Sequence, residues 1–225
     1  MRYILLFIAI FTFSCKYNIT SPVGTIKDYS ANSGKLFYTS SGDSDNDIET
    51  TLKKNKHSLG KYLIKVSPTN DKSTAILTNI KEVLNKNLSF NNVEIDLSQT
   101  KITNIPKDMF TNTTNLGKIT LPDTVTNIEE SAFSGCSSLV NLFLPKSLTK
   151  IDNDAFKNCS QLKNLEYLGT KSDCSKLDNC QPFSSGSNLS NLYLPSMDGT
   201  STNIINSNFL GRSWTTTNYG KHIPN

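Results

Sequence analysis

Three phenylalanines define the repeat of this chain. Phe110, Phe133 and Phe156 follow one another at intervals of 23 residues. An Ile lies five residues before each Phe and a Leu six residues after it, which gives the sets Ile105, Ile128, Ile151 and Leu116, Leu139, Leu162. The polar residues between these positions differ from copy to copy, as "LPDTVTNIEESAFSGCSSL" and "LPKSLTKIDNDAFKNCSQL" show. A chain that repeats its apolar positions in this way is expected to stack its copies, with the repeated residues facing inward.

Short strand-like segments accompany the repeat. Apolar residues alternate at Ile95/Leu97, Ile119/Leu121, Leu142/Leu144, Leu165/Tyr167 and Leu192/Leu194. We count five coils, of which two are regular and the last two match only in outline. A period in the low twenties is typical of a leucine-rich solenoid. We therefore predict an α/β-type leucine-rich-repeat solenoid of about five coils, with a parallel sheet on one face and the Phe turns on the opposite side.

The two regular coils resemble the BspA-like bacterial surface leucine-rich repeats. The first coil carries this resemblance through Leu116, Ile119, Leu121, Pro122, Val125, Thr126, Ile128, Ala132, Phe133, Cys136 and Leu139. The second regular coil repeats the pattern in phase. The coil that precedes the two regular ones has Met109-Phe110 in place of Ala-Phe. The resemblance implies a cell-surface adhesin or antigen that contacts host or neighbouring-cell proteins through its sheet face. Fold alone does not decide function, so this role is an analogy.

The segments that flank the repeat are read as caps. Residues 61–91 contain "KYLIKVSP", a predicted strand, and then a predicted helix. The helix presents one apolar face, formed by Ile76, Leu77, Ile80, Val83, Leu84 and Leu88. We predict that this strand-helix unit caps the N-terminal edge of a solenoid spanning 92–225. The atypical stretch from Thr200 to Asn225 is predicted to cap the other edge.

The N-terminus indicates export. "MRYILLFIAIFTFSCK" has an apolar run too short to cross a bilayer, so residues 1–14 are predicted to be a signal peptide. Cys15 resembles the acylated Cys of a bacterial lipobox, although Thr12 stands where an aliphatic residue is usual. An ordinary secretory signal with a chance Cys is the alternative. Residues 15–60 are predicted to be the lipidated Cys and a flexible tether, which would place the protein at an outer membrane or cell surface.

The sequence offers little for catalysis or metal binding. Cys136 and Cys159 occupy the same position in successive coils and are predicted to be buried thiols, although a disulfide between them is the alternative. Cys174 and Cys180 lie in one insertion, where a local disulfide and two thiols are equally consistent with the spacing. We identify no catalytic residue, metal ligand or cofactor motif. The net charge of +4, spread along the chain, also argues against nucleic acid as a partner.

The outward positions of the predicted strands form two columns. One column contains Asp96, Thr120, Phe143, Glu166 and Tyr193, and the other contains Glu94, Lys118, Asn141, Asn164 and Asn191. The Asn run is expected to stabilise the sheet through stacked amides. Two aromatic residues on a polar face could anchor a protein partner, although single exposed aromatics are also common. The candidate ligand-binding residues are Phe143, Glu166, Tyr193, Thr120, Lys118 and Asn141.

These features lead to one main interpretation and two alternatives. The chain is interpreted as a surface-exposed, membrane-anchored lipoprotein that binds a protein through its sheet face and is not an enzyme. A periplasm-facing structural or scaffold lipoprotein is the first alternative, and a secreted enzyme is the second. The sequence leaves the ligand, the orientation in the envelope and the oligomeric state open.

Overall fold

A computed structural model describes residues 26–29, 36–40, 44–67, 74–177, 180–200, 205 and 208–224. Cys15 and the predicted signal peptide lie outside the described residues. Within the described ranges, no helix has the length and hydropathy needed to span a membrane.

Most of the strands form parallel ladders along one side of the molecule. A five-stranded sheet has the order β1 (Ile26–Tyr29), β2 (Leu36–Ser40), β3 (Leu63–Val66), β4 (Val93–Asp96) and β6 (Leu116–Thr120). A four-stranded sheet continues with β8 (Asn141–Leu144), β10 (Asn164–Tyr167), β11 (Asn191–Leu194) and β12 (Thr216–Tyr219). All of these pairs are parallel except β1 with β2. The predicted leucine-rich-repeat solenoid is thus confirmed.

The sheet on this side is divided rather than continuous. Strands β6 and β8 belong to separate hydrogen-bonded sheets, although their coils are consecutive. The ladder between β4 and β6 is also irregular, because Gly117 is an extra residue between the Val93–Leu116 and Glu94–Lys118 pairs. A bulge of this kind bends a strand and increases its local twist. The break between the two sheets therefore lies beside β6, the strand that carries the bulge.

The opposite side carries the Phe turns. A three-stranded parallel sheet is formed by β5 (Asn104–Ile105), β7 (Asn127–Ile128) and β9 (Lys150–Ile151). The rings of Phe110, Phe133, Phe156 and Phe183 stack in sequence, with centroid distances of 5.4, 5.1 and 5.5 Å. The first three of these side chains are fully buried. The core is therefore continuous from coil to coil, as the repeated apolar positions predicted.

A row of amides accompanies this small sheet. Asn127 Nδ2 donates to Asn104 Oδ1 over 2.9 Å, and Asn104 Nδ2 donates in turn to Glu129 Oε1 over 2.8 Å. Lys150 occupies the next position, so the row stops there. Within the described ranges, the buried Oδ1 of Asn127 has no hydrogen-bond donor.

The N-terminal region differs from the prediction. A flexible tether was expected over residues 15–60, but β1, β2 and a 15-residue helix, α1 (Asp45–Leu59), lie within it. Ser44 caps α1 by accepting a hydrogen bond from the backbone N–H of Asp47, and Ile48 and Leu52 are fully buried. An N-cap and apolar residues four positions apart favour a helix that packs on its neighbours.

The remaining cap elements follow the prediction more closely. Strand β3 and the helix α2 (Ala75–Lys86) are present, and α2 buries Ile76, Leu77, Ile80, Val83 and Leu84. Leu88 was assigned to the same face, but it follows the end of the helix and is 73% exposed. At the other edge, the predicted C-terminal cap contains β12, which extends the parallel sheet by one strand.

The insertion after β10 contains a short helix, α3 (Lys171–Cys174), followed by a 3-10 turn, Ser175–Leu177. Cys174 and Cys180 are not disulfide-bonded, so the local disulfide is absent from the structure. The predicted core thiols are confirmed, because Cys136 and Cys159 are fully buried and their Sγ atoms donate to the carbonyls of Phe110 and Phe133 over 3.2 Å. Burial raises the pKa of the Cys159 thiol to about 12, so it stays protonated near neutral pH.

Candidate binding surface

The outward side chains of β4, β6, β8, β10 and β11 form a surface that we call the sheet face. Buried and partly exposed residues alternate along β8 and β11, because successive side chains of a strand point to opposite sides. The ladders place Lys118 beside Glu94, and they place Glu166 between Phe143 and Tyr193. Both predicted columns are therefore confirmed as neighbours within each sheet, with the division between β6 and β8 separating the two parts.

One column is a chain of amides. Asn164 Nδ2 donates to Asn141 Oδ1, and Asn191 Nδ2 donates to Asn164 Oδ1, each over 2.8 Å. All three side chains are partly buried. These bonds engage the oxygen of Asn141, both ends of the Asn164 amide and the nitrogen of Asn191. Asn141 was a candidate ligand contact, but its position indicates a structural role in holding successive coils in register.

A cavity of about 330 Å³ opens on the sheet face where the two sheets separate. Its walls are Ser98, Lys118, Thr120, Leu121, Asp123, Phe143, Leu144, Pro145 and Leu168. Three of the candidates, Lys118, Thr120 and Phe143, thus come together in one site. Sequence reasoning missed the aliphatic residues of this cavity, since they lie at strand ends and their exposure depends on how far β6 and β8 separate. Tyr193 lies outside the cavity.

A cation and an aromatic ring stand at the edge of this cavity. Lys118 Nζ lies 5.4 Å from the centroid of the half-buried Phe143 ring. This distance allows a cation–π interaction, which costs little to form because the ammonium group stays in water. Two cations beside the face are paired with its carboxylates, Lys61 with Glu94 at 2.7 Å and Lys65 with Asp96 at 3.8 Å. No carboxylate pairs with Lys118 among the residues that the structure describes, so its charge is available to a ligand.

Glu166 differs from its prediction. It does face outward, but its carboxylate is covered and the residue is only 4% exposed. The covering group is the C-terminal segment 220–224, which we call the tail. Glu166 Oε2 accepts a hydrogen bond from the backbone N–H of Ile223 over 2.7 Å, and Glu166 Oε1 lies 2.7 Å from His222 Nδ1. Nothing in the repeat pattern could reveal this contact, because the tail lies outside the pattern and pairs with a residue 56 positions away.

The described ranges contain no cluster of side chains suited to binding a metal ion. No group of three or more His, Cys, Asp or Glu side chains there is arranged to hold an ion. The sheet face instead offers a half-buried aromatic ring, an exposed ammonium group and an apolar cavity, which are groups that suit non-covalent binding of a protein segment.

Comparisons with known proteins identify one repeat family. The family model for the BspA type leucine rich repeat region matches residues 103–224 in six copies. The T. pallidum leucine-rich repeat protein TpLRR has 16% identity and a TM-score of 0.40, with coverage of 90% of this chain and 82% of that one. A leucine-rich repeat protein from Bacteroides ovatus ATCC 8483 has 18% identity and a TM-score of 0.40, with coverage of 71% of this chain and 36% of that one.

No curated protein matches the chain. The family model, however, accounts for more than half of the 225 residues. The protein therefore belongs to the BspA-type leucine-rich-repeat family.

Proposed function

We propose that this protein is a surface-exposed lipoprotein that binds a protein partner through the sheet face, as an adhesin or surface antigen. The observation that carries the proposal is the cavity at the sheet division, with Lys118 and Phe143 at its edge. Family context supports it, since BspA-type repeats generally serve as protein-interaction modules and typically occur in bacterial surface or secreted proteins.

The physical argument rests on preorganisation. Phe143 is carried on β8, whose flanking residues Leu142 and Leu144 are fully buried in the core. A ring held in this way loses little freedom when it is covered by a partner. Aromatic residues in partly enclosed positions are the usual energetic centres of protein interfaces, and an adjacent cation adds specificity for an acidic group. The expected ligand therefore places an apolar side chain in the cavity and a carboxylate near Lys118.

The membrane attachment is a separate part of the proposal. Acylation of Cys15 after removal of residues 1–14 would attach the chain to a membrane without a spanning helix. Leucine-rich repeats of this family act as scaffolds rather than as enzymes, and we propose no reaction for this chain.

Binding can be tested with purified full chain coupled to beads and incubated with intact host or bacterial cells. We expect the wild-type protein to retain cells, and we expect prior protease treatment of the cells to abolish this. The Lys118→Ala, Phe143→Ala double variant should lower retention at least tenfold. Val140→Ala is the matched control, because Val140 is 37% exposed, precedes β8 and does not line the cavity. Equal retention by the double variant and the control would refute the sheet-face site.

Location requires its own experiment. Protease added to whole cells should cleave the chain while a periplasmic marker stays intact. Protection of the chain until the outer membrane is broken would favour the periplasmic scaffold instead, and the adhesin role would be rejected.

A further inference from the structure

The tail occupies the sheet face next to the proposed site. It follows β12 directly, and the last contact with that ladder is the Gly220 N–H donating to the Leu194 carbonyl over 3.0 Å. The chain then crosses to Glu166 on β10. Since Glu166 is paired in register with Phe143, the tail lies one strand away from the cavity edge. A segment of the protein itself therefore rests on the sheet face directly beside the cavity.

The contact has the chemistry of peptide recognition. Both carboxylate oxygens of Glu166 are engaged, one by a backbone N–H and the other by the imidazole of His222. Ile223 is 8% exposed, yet it does not belong to the continuous hydrophobic core. It is therefore buried on the outside of the solenoid. A carboxylate that is covered is stable only when donors satisfy it, so any segment that replaces the tail over Glu166 must bring equivalent donors, whereas water solvates the carboxylate when it is uncovered.

The remainder of the tail is held loosely. Lys221, His222 and Pro224 are exposed, and the His222 side chain retains 70% of its accessible surface. Among the described residues, every hydrogen bond from residues 221–224 ends at Glu166. Detachment would thus break two hydrogen bonds and expose one aliphatic side chain, while all strands of the solenoid stay paired. Segments with so few contacts open far more readily than a core does.

We propose that the tail is a displaceable internal ligand and that Glu166 is the carboxylate with which the sheet face recognises a partner. This inference rests on the proposed function and specifies the partner. The partner is an extended protein segment with a basic or imidazole side chain followed by an aliphatic residue. That segment reproduces the His222–Ile223 contacts, and the residues beyond it extend toward Phe143 and the cavity. Because the tail is tethered, it competes at a high effective concentration and sets a threshold for binding.

The test supplies the tail in trans. The probe is a peptide of sequence YGKHIPN, which corresponds to residues 219–225. Its binding to full chain is followed by NMR shifts of sheet-face amides at millimolar peptide. We expect the His222→Ala, Ile223→Ala variant, whose tail is weakened, to bind the peptide at least fivefold more tightly than the wild type. Adding Glu166→Gln should abolish binding, and the control peptide YGKAAPN should not bind. Absence of binding to the weakened-tail variant, or equal binding to the wild type, would overturn the proposal.

A second measurement needs no peptide. In wild-type protein, the Ile223 amide should exchange its hydrogen more slowly than the amides of Lys221 and His222 but faster than the core amides, and Glu166→Gln should accelerate this exchange at least tenfold. Amides in β8 and β11 should be unchanged, which shows that the variant is folded. Unchanged exchange at Ile223 would contradict the inference.

The outcomes separate this inference from the proposed function. If the tail peptide binds as described but beads carrying the Lys118→Ala, Phe143→Ala variant retain cells normally, the internal ligand is supported and the binding function of the cavity is refuted. If beads carrying that double variant no longer retain cells while the tail peptide does not bind, the proposed function is supported and the internal ligand is refuted.

Discussion

The stacked phenylalanines allow a quantitative test of the core. Phe133 and Phe110 are both fully buried and occupy the same position in successive coils. Phe133 stacks between two rings, at 5.4 and 5.1 Å, whereas Phe110 has one aromatic neighbour among the described residues. Truncation of a buried Phe to Ala costs about 3–5 kcal/mol. An aromatic pair adds about 0.5–1.5 kcal/mol beyond its buried area. We therefore expect Phe133→Ala to lower the free energy of unfolding by about 4 kcal/mol, and by roughly 1 kcal/mol more than Phe110→Ala.

The assay is urea-induced unfolding followed by far-UV circular dichroism. Fluorescence of the single Trp, Trp214, provides a second probe near the C-terminal edge, where its indole Nε1–H donates to the Phe209 carbonyl over 3.0 Å. Coincident transitions would show that the coils unfold together. Equal losses in the two variants, or a larger loss for Phe110→Ala, would refute the argument that coil-to-coil stacking adds to burial.

Two further predictions concern single positions. Gly135→Ala should destabilise the fold by roughly 2–3 kcal/mol, because φ is +76° and an added Cβ would overlap the side-chain oxygen of Asn112 in the preceding coil. Gly60→Ala shares the positive φ but meets no atom within 4 Å, so it should cost only about 1 kcal/mol in the same urea assay; equal costs would contradict the steric part of the argument. For Cys159, burial raises the folded-state pKa from 9.0 to about 12, so its contribution is complete below pH 9 and is lost as pH rises toward 12. A Cys159→Ala variant should therefore lose stability less steeply over that interval, and parallel pH profiles for the two proteins would rule this out.

The repeat made much of the fold predictable. Packing between identical neighbours restricts the inward positions, so their spacing alone located the strands, the Phe turns and the outward columns. The amide row of Asn141, Asn164 and Asn191 followed from the same register. Helix α1 was missed because it has few apolar residues and a polar composition. Its signal was nonetheless present in Ser44, Ile48 and Leu52, which form a cap and one apolar face.

The candidate site was only partly predictable, for a different reason. Lys118 and Phe143 could be placed on one face from strand alternation, but the cavity depends on the separation of β6 and β8. That separation depends on how two coils stack, and the spacing of apolar residues along the sequence does not reveal it. The covering of Glu166 depends on the path of a segment that does not repeat. Periodicity therefore predicts which residues face outward, and it cannot predict which of them remain accessible.

The amide row of the small sheet has a consequence for how such an array can lengthen. In the one bond between the amides, Asn127 of the later coil supplies the nitrogen and Asn104 of the earlier coil supplies the oxygen, so this pair has a direction. Its final oxygen, on Asn127, is left without a donor where Lys150 begins the next coil. A duplicated coil inserted after Asn127 would satisfy that oxygen if it carried Asn at this position. A coil that keeps this amide would therefore extend the array without leaving the oxygen of Asn127 unpaired.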